Sequence, residues 1–152
     1  MKALNADLAW AVGQLDTVRY TTNAGSDWIE PGFPTTGIDA NGVAVVNEDT
    51  VWVALDYGGI YRSDNGGATW TSQESNQHGH HLLRVSALDA DNAWIIGALA
   101  SSGTDFGVIL HTDNGGDNWE TQSSPVNASW SDLAVVDGRP PLFLPLIMSY
   151  SS

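Results

Sequence analysis

The side chains in this sequence whose types and spacing suit chemistry are few. His78-Gly79-His80-His81 sets three imidazoles within four residues. Closely spaced imidazoles can share a metal, but such a site needs three or four converging ligands, and only His111 remains elsewhere. Loop histidines without an identified carboxylate partner are usually just solvated, so neither a metal nor another cofactor is expected. Cleaving a glycosidic bond would need two carboxyl groups flanking it, about 5 to 9 Å apart depending on mechanism. Asp16, Asp56 and Asp105 qualify by loop position only, and nothing around them marks an acid of raised pKa. An aromatic ring beside carboxylates suits a sugar, because the ring stacks on the apolar sugar face while acceptors take the hydroxyls. Trp130 is a ring of this kind, although a tryptophan at the top of an inner strand more often serves packing. The candidate ligand contacts are therefore Asp56, Tyr57, His81, Asp105 and Trp130, and no residue is assigned a catalytic role.

Composition narrows the elements that could position them. Of 152 residues 42% are hydrophobic, enough for one core of the size that buries about two-thirds of the unfolded surface. Five basic residues against 18 acidic ones give a net charge of −13, which argues against nucleic acid or an anionic membrane as partner and serves solubility. There is no cysteine, hence neither a disulfide framework nor a thiolate site, and the compartment stays open. Met1–Val12 breaks its apolar run at Asn5 and Asp7, unlike a signal peptide. No apolar run approaches the length of a membrane span.

The organising feature is a turn that occurs three times: Ser63-Asp64-Asn65-Gly66-Gly67-Ala68-Thr69-Trp70, Thr112-Asp113-Asn114-Gly115-Gly116-Asp117-Asn118-Trp119, and the weaker Thr21-Thr22-Asn23-Ala24-Gly25-Ser26-Asp27-Trp28. Glycines accept the positive φ a tight hairpin demands, short polar side chains can bond the turn's N–H groups, and the indole can close the gap to a neighbouring sheet. Around these turns the chain repeats. Asn5, Asp7 and Trp10 recur 42 residues later at Asn47, Asp49 and Trp52, and the same step leads to Asp91 and Trp94. The third copy holds seven extra residues between Trp94 and Thr112. A unit of this length fits a four-stranded propeller blade. The second unit reads as strands over 42–46, 50–55, 59–62 and 69–73, the third over 83–88, 92–97, 107–111 and 118–121. Met1–Leu4 offers only a stub of an inner strand. Ser131–Val136 begins a fourth unit, with Phe143 on the Trp94 column, before prolines interrupt it. The expected fold is all-β, about three and a half four-stranded antiparallel blades: about 1–30, 38–73 and 81–122, with a fourth starting at 131–147.

The three turns resemble the Asp-box, or BNR repeat, of pattern Ser/Thr-x-Asp-x-Gly-x-x-Trp, with Asn23, Asn65 and Asn114 in the Asp column as neutral acceptors. The resemblance implies that Thr21, Asn23, Gly25, Trp28, Ser63, Asn65, Gly67, Trp70, Thr112, Asn114, Gly116 and Trp119 are structural. It also implies that ligands meet the opposite face, built from second-to-third strand loops and inter-blade linkers. There the repeat registers Asp39, His81 and Trp130 in one column. Blades two and three are also similar to the photosystem II stability and assembly factor family, whose propellers bind proteins, through Gly58-Gly59-Ile60-Tyr61-Arg62-Ser63 before a turn. Enzymes with such boxes are sialidases and xyloglucanase-type hydrolases. A sialidase needs an arginine cluster, whereas Arg19 and Arg62 read as equivalent third-strand positions and Arg139-Pro140 is no early Arg-Ile-Pro. The expected function is a non-catalytic scaffold binding a protein or a carbohydrate, the alternative a glycoside hydrolase fragment. Three and a half blades cannot close a ring, so the chain is expected to be part of a longer protein or a homo-oligomer, with apolar surface uncovered around Trp10, Val12, Leu133 and Val135.

Overall fold

The computed structural model describes residues 1–34, 36–99, 107–123, 130–135 and 142–145, with Ser131 and 142–145 described by backbone alone. Among the described residues all regular elements are strands apart from one 3-10 turn at Asp56–Gly58. Sheet one runs β1 (Lys2–Ala3), β2 (Ala9–Gly13), β3 (Thr17–Thr21), and sheet two β4 (Ala40–Val45), β5 (Thr50–Leu55), β6 (Ile60–Asp64), β7 (Thr71–Gln73). Sheet three runs β8 (His80–Ala87), β9 (Ala93–Leu99), β10 (Val108–Thr112), β11 (Glu120–Thr121), and sheet four pairs β12 (Trp130–Ala134) with β13 (Leu142–Pro145). Every pairing is antiparallel between consecutive strands. In sheet one the fourth position is reduced to a bridge between Tyr20 and Ile29, as suits a segment followed by Pro31 and Pro34, which lack N–H donors.

The first strands lie side by side, β1 next to β4, β4 next to β8, β8 next to β12, while each sheet packs its face on the next. They border a cavity of about 360 Å³ lined by Lys2, Asn41, Val43, Arg84 and Asp132. The strongly apolar β5 shows why alternation fails in the sequence. Val51, Val53 and Leu55 join Trp10 and Val18 in a core between sheets one and two, and Trp52 and Ala54 join Leu82, Ile95, Leu110 and Trp119 between sheets two and three. A strand covered on both faces has no polar side to display. A third cluster, Ile96, Ile109, Trp130 and Leu133, joins sheets three and four.

The expected apolar edge is corrected here. Trp10 is 1% exposed and Leu133 8%, because each lies in the interior joint with its neighbouring sheet. The large apolar side chains left open around the first sheet are instead Met1, Leu15, Trp28 and Ile29, from 42% to 85% exposed. The arginine columns also differ from expectation. Trp10 pairs with Tyr20 across β2 and β3, and Trp52 with Arg62 across β5 and β6. Arg62 therefore matches Tyr20, whereas Arg19, opposite Ala11, matches Tyr61 opposite Val53. No helix among the described residues is long and apolar enough to cross a membrane.

Candidate ligand-binding face opposite the repeat turns

The three turns consume their own polar groups. In each, the hydroxyl at the first position accepts from the backbone N–H of the glycine four residues on: Thr21 from Gly25 at 2.9 Å, Ser63 from Gly67 at 2.8 Å, Thr112 from Gly116 at 2.9 Å. The same hydroxyl donates to the asparagine Oδ1 of Asn23, Asn65 or Asn114 at 2.9 to 3.0 Å. That Oδ1 accepts in turn from the N–H of Asp27, Thr69 or Asn118. Each turn also fastens to the first hairpin of its own sheet, with the N–H groups of Ala24, Gly66 and Gly115 donating to the carbonyls of Asp7, Asp49 and Asp91. Asp64, next in sequence to this network, is paired with Arg62 at 2.6 Å. The first hydroxyl and the asparagine oxygen of each turn are thus committed within the fold, and a cavity of about 310 Å³ at this end is lined by Arg62, Asp64, Asp91, Asn114 and Asp117.

At the other end of the same strands the groups are arranged differently. Leaving β5, the chain makes the 3-10 turn in which Tyr57 and Gly58 both take positive φ, +57° and +80°. Only glycine suits position 58, because a Cβ there would lie 2.5 Å from the Gln77 carbonyl oxygen. The linker clamps the turn from beneath: the buried Ser75 hydroxyl donates to the Gly58 carbonyl at 2.6 Å and accepts from the Gln77 N–H at 3.1 Å. Tyr57 is thereby held 57% exposed. Its ring centroid lies 5.1 Å from that of His81, which enters from β8. His81 Nδ1 is 2.6 Å from Asp56 Oδ1. Asn41 Nδ2 donates to the same oxygen at 2.6 Å and to the Leu82 carbonyl at 3.0 Å. Two strands, β4 through Asn41 and β8 through His81, thus converge on the one carboxylate of the 3-10 turn, with an aromatic ring standing beside it.

The matching loop of sheet one repeats the backbone and changes the chemistry. Leu15 and Asp16 take positive φ, +50° and +56°, and Leu15 is 76% exposed. The Asp16 carboxylate accepts from the Thr36 N–H at 2.8 Å, the Thr36 hydroxyl at 2.5 Å, the Ile38 N–H at 3.3 Å and the Gly37 N–H. Partial burial is the largest single influence on this group and acts upward, yet these bonds together outweigh it and hold Asp16 below the ordinary aspartate range. A carboxylate so committed is a tie for the linker rather than an acid for catalysis.

Of the residues singled out from sequence, Asp56, Tyr57 and His81 come together. Trp130 does not join them: it is 5% exposed, buried with Ile96, Ile109 and Leu133, so its ring fills the joint between sheets three and four. Asp105 and the sequon Asn127-Ala128-Ser129 lie outside the described residues. The histidine run diverges, with His78 facing Glu74 at 3.4 Å and His81 facing Asp56, while burial pushes the His80 imidazole down. Among the described residues no three metal-ligating side chains converge. Sequence reasoning missed Leu15 and Asn41. Leu15 stands 42 residues before Tyr57, so the repeat step could have found it; Asn41 carries no such signal.

No family model matches the sequence, and no curated protein matches it significantly. Solved structures do. A structure of YCF48 bound to a D1 peptide superposes with a TM-score of 0.68 at 18% identity over 84% of this chain. YCF48 from Cyanidioschyzon merolae gives 0.62 at 24% identity over 79%, and the Niastella koreensis GH74 enzyme 0.64 at 18% over 86%. The fold is that of β-propeller blades. The chain spans 40%, 35% and 22% of the lengths of those three proteins.

Proposed function

We propose that this chain is a non-catalytic Asp-box β-propeller scaffold that binds a protein segment on the face carrying Leu15, Asp56, Tyr57 and His81. Its blades run at about 1–30, 38–73 and 81–122, with a fourth beginning within 131–147. The observation that carries this reading is Tyr57. A bulky residue at positive φ is uncommon and costs about 1–3 kcal/mol, yet here Asp56, Ser75 and Gly58 are arranged to hold that conformation and to keep the ring in solvent. An aromatic and an aliphatic knob, displayed at matching positions of adjacent blades beside one hydrogen-bonded carboxylate, suit an extended segment with apolar side chains and a donor. The peptide named with one of the YCF48 structures supports the protein reading.

A second reading, carbohydrate binding or cleavage as part of a glycoside hydrolase, draws on the likeness to the GH74 enzyme. Against cleavage stands the commitment of both described loop carboxylates, Asp16 to four donors and Asp56 to His81 and Asn41. The test is a parallel screen of the purified chain on a peptide array, a glycan array and chromogenic glycosides. The proposal expects peptide ligands whose binding is lost in Tyr57→Asn, a substitution that keeps a residue tolerant of positive φ while removing the ring. Glycan binding or turnover without peptide binding would replace it with the second reading.

A further inference from the structure

The loops at the end of the strands opposite the repeat turns carry charge of one sign. Among the described residues, positions 14–16, 30–34, 36–39, 56–59 and 74–79 include Asp16, Glu30, Asp39, Asp56 and Glu74 and no lysine or arginine; Lys2, Arg19, Arg62 and Arg84 all lie within strands. Most of these carboxylates are already engaged. Asp16 gives both oxygens to the Thr36–Ile38 linker, and Asp39 Oδ1 accepts from the Leu15 N–H at 3.0 Å. Glu30 lies 3.3 Å from Arg19, and Glu74 accepts from the Asn76 N–H at 2.9 Å with His78 3.4 Å away.

Asp56 differs in having capacity left. Its Oδ1 accepts from Asn41 Nδ2 and sits 2.6 Å from His81 Nδ1, which fixes the carboxylate, while Oδ2 accepts no hydrogen bond among the described residues. An ionised carboxylate offers about four acceptor sites, so a further donor fits. The side chain keeps 20% of its surface open, and the Tyr57 ring beside it is more than half exposed. An aromatic face next to an uncommitted carboxylate oxygen attracts a cation twice, through the ring quadrupole and through a charge-assisted hydrogen bond. A neutral sugar hydroxyl would gain the hydrogen bond and nothing from the surrounding charge, whereas the −13 carried by the chain draws a basic segment toward these loops from a distance.

We infer that the corner formed by Asp56 and Tyr57 receives a basic side chain of the bound protein segment, a lysine ammonium or an arginine guanidinium laid against the Tyr57 ring and donating to Asp56 Oδ2. This rests on the protein-segment reading above and gives that segment its chemistry: a basic residue at the corner and an apolar one over Leu15 of the adjoining loop. Because Oδ1 is occupied, an arginine pairs here through one N–H rather than as a bidentate fork, so lysine and arginine serve alike.

Peptides of random sequence are arrayed against the purified chain. The strongest binders are resynthesised with each lysine and arginine intact, exchanged for the other, or replaced by glutamine, and all are titrated by calorimetry in low and in high salt. The protein arms are the parent, Asp56→Asn, which keeps an Oδ1 acceptor for Asn41, and Tyr57→Phe, which keeps the ring. The inference expects one basic position whose replacement by glutamine weakens binding at least about fivefold, an equal loss in Asp56→Asn with no further loss on combining the two, near-parity of lysine and arginine, and less than about a twofold change in Tyr57→Phe. Binding to the parent should weaken as salt rises. If Asp56→Asn does not fold, the glutamine peptides read the same contact on the unaltered chain. Peptides whose binding is lost in Tyr57→Asn, yet which tolerate glutamine at every basic position, overturn the inference and leave the protein-segment reading standing; an array without any Tyr57-dependent binder removes both.

Discussion

The two ends of the same strands divide between repetition and variety. At one end, three turns forty or so residues apart make the same hydrogen bonds to within about 0.1 Å in the hydroxyl-to-glycine contact, and their polar groups are spent on holding the chain. At the other, the loops share only a backbone: two successive positive φ angles at Leu15-Asp16 and again at Tyr57-Gly58. On that common backbone one loop ties down a linker through Asp16, and the other displays Tyr57 over His81 and Asp56. Repeated side chains mark the scaffold, and the proposed function takes the side chains that vary on a repeated backbone as the place where the scaffold meets a ligand.

Substitutions sharpen that contrast in order of size. The largest effect is expected at the joint between sheets two and three. Trp52 is 0% exposed there, and Trp52→Ala should cost about 3–5 kcal/mol, enough to remove most of a typical domain's stability. A chemical-denaturation midpoint close to that of the parent would contradict the packing described. Next comes Ser63→Ala, which strips a buried hydroxyl from the Gly67 and Asn65 N–H groups. By analogy with lost helix caps and orphaned buried donors it should cost about 1–2 kcal/mol, with binding on the opposite face unchanged.

Acid should act on both ends, more gently. Asp89 on the turn face is held low first by the Asn92 side-chain bond, partial burial opposing it, with the Asn92 and Asp91 N–H groups adding to the lowering; Asp16 on the other face is held low by the bonds already described. A carboxylate whose folded pKa is depressed adds stability that is complete above its unfolded value, near 3.8 here, and that is lost as the pH falls through the folded value. Stability should therefore decline on acidification from about pH 4 downward. Asp16→Asn should flatten part of that decline; an unaltered acid limb in calorimetric scans would mean the linker tie contributes nothing. Least harmful to stability should be Tyr57→Asn, which removes an exposed ring and places at positive φ a residue that tolerates it, so the denaturation midpoint should not fall, and it should have the largest effect on binding.

Much of this was legible in the sequence because its cause is local. The 42-residue step, the glycines of the turns and the indoles of Trp52 and Trp119 place β4 to β11 within a few residues of where the structure has them. The ladder β5 agrees at both ends, and Phe143 does lie in a strand. What was not legible depends on neighbours in a paired strand, the adjoining sheet or a linker, distant in sequence. The repeat registers Trp130 in a column that opens on the proposed ligand face, but the packing of Ile96 and Ile109 draws it inward. His80 and His81 read as loop residues in the sequence, yet β8 begins at His80, because β9 runs on to Leu99 and pairs Leu99 with His80 and Ala98 with His81. The tie between Asp16 and Thr36–Ile38 spans about twenty residues of irregular chain and leaves no periodic trace.

The division of labour between the two ends is tested most directly by amide hydrogen exchange on the purified chain with and without the peptide chosen by the array screen. Added ligand should slow exchange at the Leu15–Thr17 loop, at Asp56–Gly59 and at Gln77–Leu82, leaving Ser63–Trp70 and Thr112–Trp119 as they were. Protection concentrated in those two turns, with the Tyr57 loop exchanging at its free rate, would place the ligand on the wrong end of the strands and contradict the account.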